Sequence, residues 1–120
     1  MSFSDEFRIR TKKFALRSIK LYQSLTKSGE AEILGKQFMR SSTSVAANYR
    51  AACRARSKKE FISKLGIVVE EADESVFWLE MLIEAEIISE AKAGELLKEA
   101  IEIMKIASSA RKTAKENNKK

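Results

Sequence analysis

The sequence predicts an all-α protein, an antiparallel up-down-up-down four-helix bundle. Three observations support this prediction. The 120 residues include no proline and only four glycines, which leaves few residues for hairpin turns. Apolar residues recur at three- and four-residue spacings through four segments. The connections between these segments are short, so consecutive helices are expected to pack as antiparallel neighbours.

The length suits one hydrophobic core. We expect one domain over residues 1–114, followed by a disordered basic tail over residues 115–120 that has nothing to bury. The opening residues lack the apolar core of a signal peptide, and no apolar run approaches the length of a transmembrane helix. We therefore expect a cytoplasmic protein that does not associate with membranes.

The first helix is predicted from an N-cap at Ser4 or Asp5 to about Lys27, where Lys27-Ser28-Gly29 closes it and Gly29 suits a left-handed cap. Ile9 and Leu16 lie about 200° around this helix from its main apolar stripe. A helix that is apolar on two sides often packs against another subunit, so both residues are predicted to lie in an oligomer interface. The main stripe consists of Phe7, Phe14, Ser18, Leu21 and Leu25.

The second helix is predicted over about residues 31–54, with small residues in its middle that let another helix approach closely. Ser57 and Glu60 form a capping box that begins the third helix, which runs to about Ile87. Gly66 inside it predicts a close helix contact. Ser89 caps the fourth helix, which ends near Lys112. Its predicted core stripe is Leu97, Ile101, Met104 and Ser108, widened by Leu96, Ala100, Ile103 and Ala107.

Positive charge is concentrated in the first half of the chain. Residues 1–60 hold 14 Lys/Arg and 5 Asp/Glu, a balance of +9, whereas residues 61–120 hold 9 and 12, a balance of −3. This asymmetry indicates either a basic face for polyanions or two halves that pair with each other. The predicted phosphate-binding residues are Arg8, Arg10, Lys12, Lys13, Arg17, Lys36, Arg40, Arg50, Arg54, Arg56, Lys58 and Lys59.

Alternatives remain open for several polar residues. The alternative to phosphate binding by the basic residues is a solvated face with no specific ligand. For Arg40, the alternative is an internal ion pair with Glu71 or Glu74. Asn48 lies mid-helix, where we expect a structural hydrogen bond or a bridge to the next subunit.

The sequence contains little that would support catalysis. Di-iron sites in helical bundles need paired Glu-x-x-His motifs, and this chain has no histidine. Cys53 and the serines therefore lack an imidazole base, and no glycine-rich phosphate loop is present. Cys53 is the single cysteine and is expected to be buried as a small apolar residue. We predict no enzyme activity, no metal and no cofactor.

Two segments resemble the bacterial four-helix-bundle family encoded in intervening sequences of 23S rRNA genes. The first runs through Gln37, Arg40, Ser44 and Asn48 to Arg56-Ser57-Lys58-Lys59-Glu60-Phe61, and the second is Glu71-Ala72-Asp73-Glu74 with Trp78-Leu79-Glu80. The resemblance covers about residues 7–110. It implies an antiparallel bundle that assembles into a ring-like homopentamer. The accessory protein of diversity-generating retroelements, a relative, binds nucleic acid and a reverse transcriptase through its basic surface.

One departure from the family concerns the residues after Asn48. Many members have an acidic residue and a glycine there, where this chain has Tyr49-Arg50-Ala51-Ala52. The resulting surface is more positive than usual.

These observations predict a non-enzymatic homo-oligomer, a pentamer by resemblance, that binds RNA or DNA non-specifically through a repeated basic surface. The alternative is a scaffold that recruits another protein and has no nucleic-acid role.

Overall fold

The computed structural model describes residues 1–27 and 29–119, and it confirms the predicted helical bundle. Its four helices are α1 (Phe3–Ser24), α2 (Gly29–Cys53), α3 (Lys58–Glu84) and α4 (Glu90–Asn118). They form a rod of about 50 × 23 × 20 Å. Helices α1 and α3 each pack against α2 and α4, and they make no packing contact with each other within the described residues. They therefore occupy diagonal corners of the bundle.

Aromatic side chains hold α1 against α2. The rings of Phe7 and Tyr49 meet edge to face with centroids 4.7 Å apart, and those of Phe14 and Phe38 do so at 6.4 Å. Gly35 lets the two helices approach, because a β-carbon there would lie 2.8 Å from Cδ1 of Leu25. The predicted core stripe of α1 is buried throughout.

The small residues of α2 allow α3 to pack closely, as predicted. Ser41 and Ser42 are buried, and Oγ of Ser75 on α3 lies 3.0 Å from Oγ of Ser41. Oγ of Ser75 also lies 2.8 Å from the backbone oxygen of Glu71, so its single proton is shared between these two acceptors. This buried polar contact sits between apolar layers and fixes the register of α2 against α3.

The helix boundaries differ from the predictions at several ends. Ser2, rather than Ser4 or Asp5, caps α1 and accepts from the amide of Asp5. Helix α1 ends at Ser24 instead of about Lys27, because the backbone is extended at Leu25, whose amide donates to the backbone oxygen of Tyr22; the ammonium of Lys27 donates to the same oxygen. Gly29 has a φ of 56° but begins α2, and Ser28 of the predicted cap lies outside the described residues.

Helix α4 departs furthest from the sequence-based prediction. The predicted stripe is only partly buried, and Ser108 is exposed, whereas the flanking set of Leu96, Ala100, Ile103 and Ala107 is the true core face. The helix also continues through Asn118, where a disordered tail was predicted over 115–120; Lys120 lies outside the described residues. Thr113, Ala114 and Asn117 border an apolar groove beside Phe3 and Phe61.

Gly66 accommodates a side chain rather than a neighbouring backbone. Arg111 of α4 crosses α3 at this point, and its Nε donates a hydrogen bond of 3.2 Å to the backbone oxygen of Ile62. A β-carbon at Gly66 would lie 3.1 Å from that Nε. Within the described residues, none of the helices has the length and hydropathy needed to cross a bilayer.

Candidate nucleic-acid interface

Four cationic side chains face one another across a groove between α1 and α2. Because the two helices are antiparallel, Arg8 and Lys12 near the start of α1 lie opposite Arg50 and Arg54 at the end of α2. Each pair is separated by four residues, which is about 6 Å along a helix. The groove measures about 370 Å³ and has Ala46 and Ala47 on its wall. Their small side chains leave room between the cations for a ligand.

The cationic surface continues across α2 to the start of α3. Arg50 and Arg54 also border a second groove of about 710 Å³, which they share with Arg56 and Lys64. Glu60 is the acidic residue on its wall. The two grooves share Ala47, Arg50 and Arg54, so they form one surface that crosses three helices. We call Arg8, Lys12, Arg50, Arg54, Arg56 and Lys64 the basic surface.

Most of the basic surface has no internal counter-charge. Within residues 1–27 and 29–119, Arg8 is the member that forms an ion pair, at 3.3 Å from Asp5. Both of those side chains are about half exposed, so this contact is weak in water. The other guanidinium and ammonium groups are available to an external anion.

The turn that presents Arg54 and Arg56 is fixed by the predicted capping box. Oγ of Ser57 accepts from the amide of Glu60 at 3.1 Å. The carboxylate of Glu60 reaches back to the amide of Arg56 at 3.4 Å, one residue before the cap. This reciprocal pair holds the α2–α3 turn and the arginines in place.

Tyr49 lies buried beneath this end of the bundle. Its hydroxyl has no hydrogen-bond partner among the described residues, and burial raises the pKa of Tyr49 to about 12. Cys53, one turn further along α2, is exposed, contrary to the burial that the sequence predicted. It lies on the wall of a corner cavity together with Arg8, Arg56 and Lys58.

Arg10 lies apart from the basic surface, in an ion pair with α4. Its Nε and Nη2 donate to the two carboxylate oxygens of Glu99 at 2.9 and 2.7 Å, and Nη2 lies 3.0 Å from Glu102. The hydrogen bonds to Glu99 raise the pKa of Arg10, and the same bonds lower the pKa of Glu99. This arrangement links α1 to α4 and engages the guanidinium internally.

The remaining predicted cations are dispersed. Lys36 pairs with Glu32 at 3.2 Å and lies about 21 Å along α2 from Arg50. Arg40 is exposed and forms no ion pair with Glu71 or Glu74 within 4.0 Å, although its charge acts to lower the pKa of Glu74. Lys13, Arg17, Lys58 and Lys59 are exposed outside the basic surface, although Lys58 borders the corner cavity next to it.

Lys64 is a member that sequence reasoning did not identify. It lies seven residues after the Ser57 cap and four after Glu60, which places it over the first turns of α3 on the side facing α2. Because the capping box predicts where α3 begins, the sequence already indicated on which side of α3 Lys64 lies.

The polar side chain of Asn48 serves α2 itself. Its amide donates to the backbone oxygen and to Oγ of Ser44, both at 2.9 Å. Among the described residues, no group of His, Cys, Asp or Glu has the arrangement of a metal site.

The residues predicted for an oligomer interface are exposed in the single chain. Ile9 is 48% and Leu16 is 56% accessible to solvent. Phe77 and Met81 on α3 are exposed as well.

Comparison with known proteins supports a family assignment. The chain is 36% identical to a crystallised protein of unknown function from the S23 ribosomal protein family of Bacteroides thetaiotaomicron, with a TM-score of 0.82. The match covers 88% of this chain and 98% of that one. No functionally curated protein matches the sequence. The family model described as 23S rRNA-intervening sequence protein matches residues 6–109, so this four-helix bundle belongs to that family.

Proposed function

We propose that this protein is a non-enzymatic homo-oligomer that binds RNA or DNA through the basic surface, with little sequence preference. The observation that supports it is the groove in which Arg8 and Lys12 face Arg50 and Arg54. Arginine and lysine held on fixed helices contact phosphate oxygens in any sequence. A homopentamer is the expected stoichiometry, and repetition of the surface would multiply weak contacts into useful avidity.

The geometry suits a sugar-phosphate backbone better than a single small anion. Neighbouring cations on one helix are about 6 Å apart, and a second row faces them across the groove. Such a double row accommodates consecutive phosphates of one strand. The surface presents few aromatic side chains for base stacking, and phosphate contacts alone carry no sequence information.

A salt titration tests this proposal. Binding of labelled single-stranded RNA, single-stranded DNA and duplex DNA is measured by fluorescence anisotropy between about 50 and 300 mM salt. If four phosphates are neutralised per chain, log K is expected to fall with log salt with a slope of about −3 per chain on single strands. Absence of binding to all three nucleic acids at about 50 mM salt would refute the proposal.

A charge-matched pair of variants identifies the surface. The double substitution Arg50→Gln/Arg54→Gln removes two cations from the basic surface, and Lys36→Gln/Lys98→Gln removes two exposed cations elsewhere. We expect the first variant to lose roughly tenfold or more in affinity and to flatten the salt slope, and the second to change little. Equal losses in both variants would mean that net charge, rather than this surface, drives binding.

The alternative, a scaffold that recruits another protein, predicts a different result. A protein partner bound through apolar contacts would remain bound at high salt, and the Arg50/Arg54 variant would retain it. Salt-tolerant binding that survives this variant, with no nucleic-acid affinity, would favour the scaffold.

A further inference from the structure

The outer faces of α1 and α3 carry opposite charges around exposed apolar side chains. From residue 9 to residue 20, the exposed residues of α1 are Ile9, Lys12, Lys13, Leu16, Arg17 and Lys20, with no acid among them. From residue 70 to residue 84, the exposed residues of α3 are Glu70, Asp73, Glu74, Phe77, Glu80, Met81 and Glu84, with no cation among them. At 100° per residue, all of these acids lie within about 60° of Phe77.

The charges of both faces act on neighbouring helices only at longer range: Lys13 and Arg17 help to lower the pKa of Glu99, and Arg40 acts to lower the pKa of Glu74. Over residues 1–27 and 29–119, no exposed charge in either set forms an ion pair with a nitrogen–oxygen distance below 4.0 Å. The crowding on α3 affects its carboxylates: the neighbouring carboxylate of Glu71 raises the pKa of Glu74. Each face has an apolar centre flanked by charges of one sign, positive on α1 and negative on α3. The two faces are therefore complementary to each other.

The two faces also lie at the same height along the bundle. Phe14 of α1 contacts Phe38 of α2, and Ser41, one turn further along α2, bonds Ser75 of α3. The middle of the α1 face is therefore level, within about one turn, with the middle of the α3 face. The faces are similar in length, about 17 and 21 Å.

From these observations we infer that copies of this chain associate head to tail, with the basic outer face of α1 on one copy docked against the acidic outer face of α3 on the next. Because α1 and α3 occupy diagonal corners, their outer faces point in opposite directions and one copy uses both. Equal height favours a step perpendicular to the bundle axis, which keeps α1 parallel to α3, and the angle between the two faces sets whether repeated steps close a ring.

This inference deepens the homo-oligomer of the proposed function and divides the cations of α1 between two tasks. Lys12 borders the groove with Arg50, so it belongs to the basic surface. Lys13 lies between Ile9 and Leu16 on the outer face and, with Lys20, would meet the acids of the next copy. Glu74 and Glu84 lie at the corresponding heights on α3.

Charge reversal and restoration test the interface. The mass of the full-length protein is measured by light scattering after size exclusion, against the 13.6 kDa of one chain. Lys13→Glu/Lys20→Glu is expected to weaken assembly about tenfold for each reversed charge. Adding Glu74→Lys/Glu84→Lys to that variant is expected to restore the mass of the unmodified protein. Lys92→Glu/Lys98→Glu, two exposed cations on α4, is the charge-matched control and should leave the mass unchanged.

Trp78 supplies a second measurement of the same contact. It is the single tryptophan, its ring is 4.9 Å from that of Phe77, and its emission should shift to longer wavelength when assembled protein is diluted. The Lys13/Lys20 variant should show the shifted emission at every concentration. Circular dichroism confirms that each variant is folded.

Each result separates this inference from the nucleic-acid proposal. A monomeric unmodified protein would overturn the interface together with the homo-oligomer of the proposed function. An assembled Lys13/Lys20 variant, or a folded four-residue variant that stays monomeric, would overturn the interface alone. Nucleic-acid binding by the groove, measured on the Arg50/Arg54 variant, is independent of all three results. A protein other than a second copy on the α3 face would appear as unmodified chains that remain monomeric alone.

Discussion

Replacing Arg10 with methionine should destabilise the protein without weakening nucleic-acid binding. Methionine keeps much of the apolar stem but removes the bonds to Glu99 and Glu102. The side chain of Glu99 is 18% exposed and that of Arg10 is 34% exposed. Charge-assisted hydrogen bonds are worth about 1.5–3 kcal/mol each when buried, and solvent screening at this partly exposed site reduces the total. We expect a loss of about 1–2 kcal/mol.

The loss should depend on pH in a defined direction. Because the bonds to Arg10 lower the pKa of Glu99 in the folded state, the ion pair contributes stability at neutral pH. That contribution is lost as pH falls below the unfolded-state value of about 4.3 and through the lowered folded pKa. The difference between the unmodified protein and the Arg10 variant should therefore be largest near pH 7 and should shrink below about pH 4.

The assay combines urea denaturation with the salt titration. Both proteins are unfolded at one protein concentration, because assembly makes stability depend on concentration. Arg50→Met, an exposed arginine of the basic surface, is the matched control. It should keep its stability within about 0.5 kcal/mol and should flatten the salt slope by about 0.7 per chain on single strands. If the Arg10 variant is as stable as the unmodified protein and flattens that slope, Arg10 binds phosphate and our assignment is wrong.

Two further substitutions test the buried polar groups. Tyr49→Phe removes a buried hydroxyl that lacks a partner within the described residues, so urea denaturation should show a gain of up to about 1 kcal/mol; a loss above 1 kcal/mol would reveal a hydrogen bond. Ser75→Ala should cost about 1 kcal/mol because it removes the bond to Ser41, and adding Ser41→Ala should cost less than the sum of the single losses. Strict additivity would contradict a direct interaction between the two serines.

The sequence predicted the architecture and most of the core because both follow from periodicity. In α1 one apolar stripe clearly exceeds its neighbours, so its buried face was correctly assigned. In α4 two adjacent apolar stripes compete, through Leu97 and Ile101 on one side and Ala100 and Ile103 on the other. The structure buries the stripe that is richer in alanine, because small side chains let both neighbouring helices approach. Periodicity alone cannot rank two such stripes.

The candidate site was predicted only in part, because a sequence does not show which charges meet. Glu99 lies 89 residues from Arg10, and nothing local to either residue indicates their bidentate contact. Lys36 and Arg50 lie on the same helix and carry the same charge, but they are about 21 Å apart along α2. Lys36 pairs with Glu32, whereas Arg50 borders both grooves. Lys64 joins the basic surface because its helical phase, which follows from the capping box, and the α2–α3 turn together place it beside Arg54; the second of these is set by tertiary packing.

Most of the excess positive charge of the first half does not pair with the excess negative charge of the second half. Within residues 1–27 and 29–119, Arg10 makes the ion pairs that join the basic half to the acidic half, with Glu99 and Glu102. Internal pairing therefore does not account for the asymmetry, and both signs of charge remain on the surface. On our proposals the acids of α3 receive α1 of the next copy, whereas the groove cations remain for phosphate.

This division has a consequence for binding. A monomeric Lys13/Lys20 variant would keep Lys12, Arg50 and Arg54 in place, so each chain would retain the same phosphate contacts and the same salt dependence. The variant would no longer join the grooves of several copies in one assembly. Long nucleic acids would therefore bind much more weakly, whereas short oligonucleotides would bind as before. Assembly and phosphate recognition are thus carried by adjacent lysines of one helix, separated by the 100° turn between them.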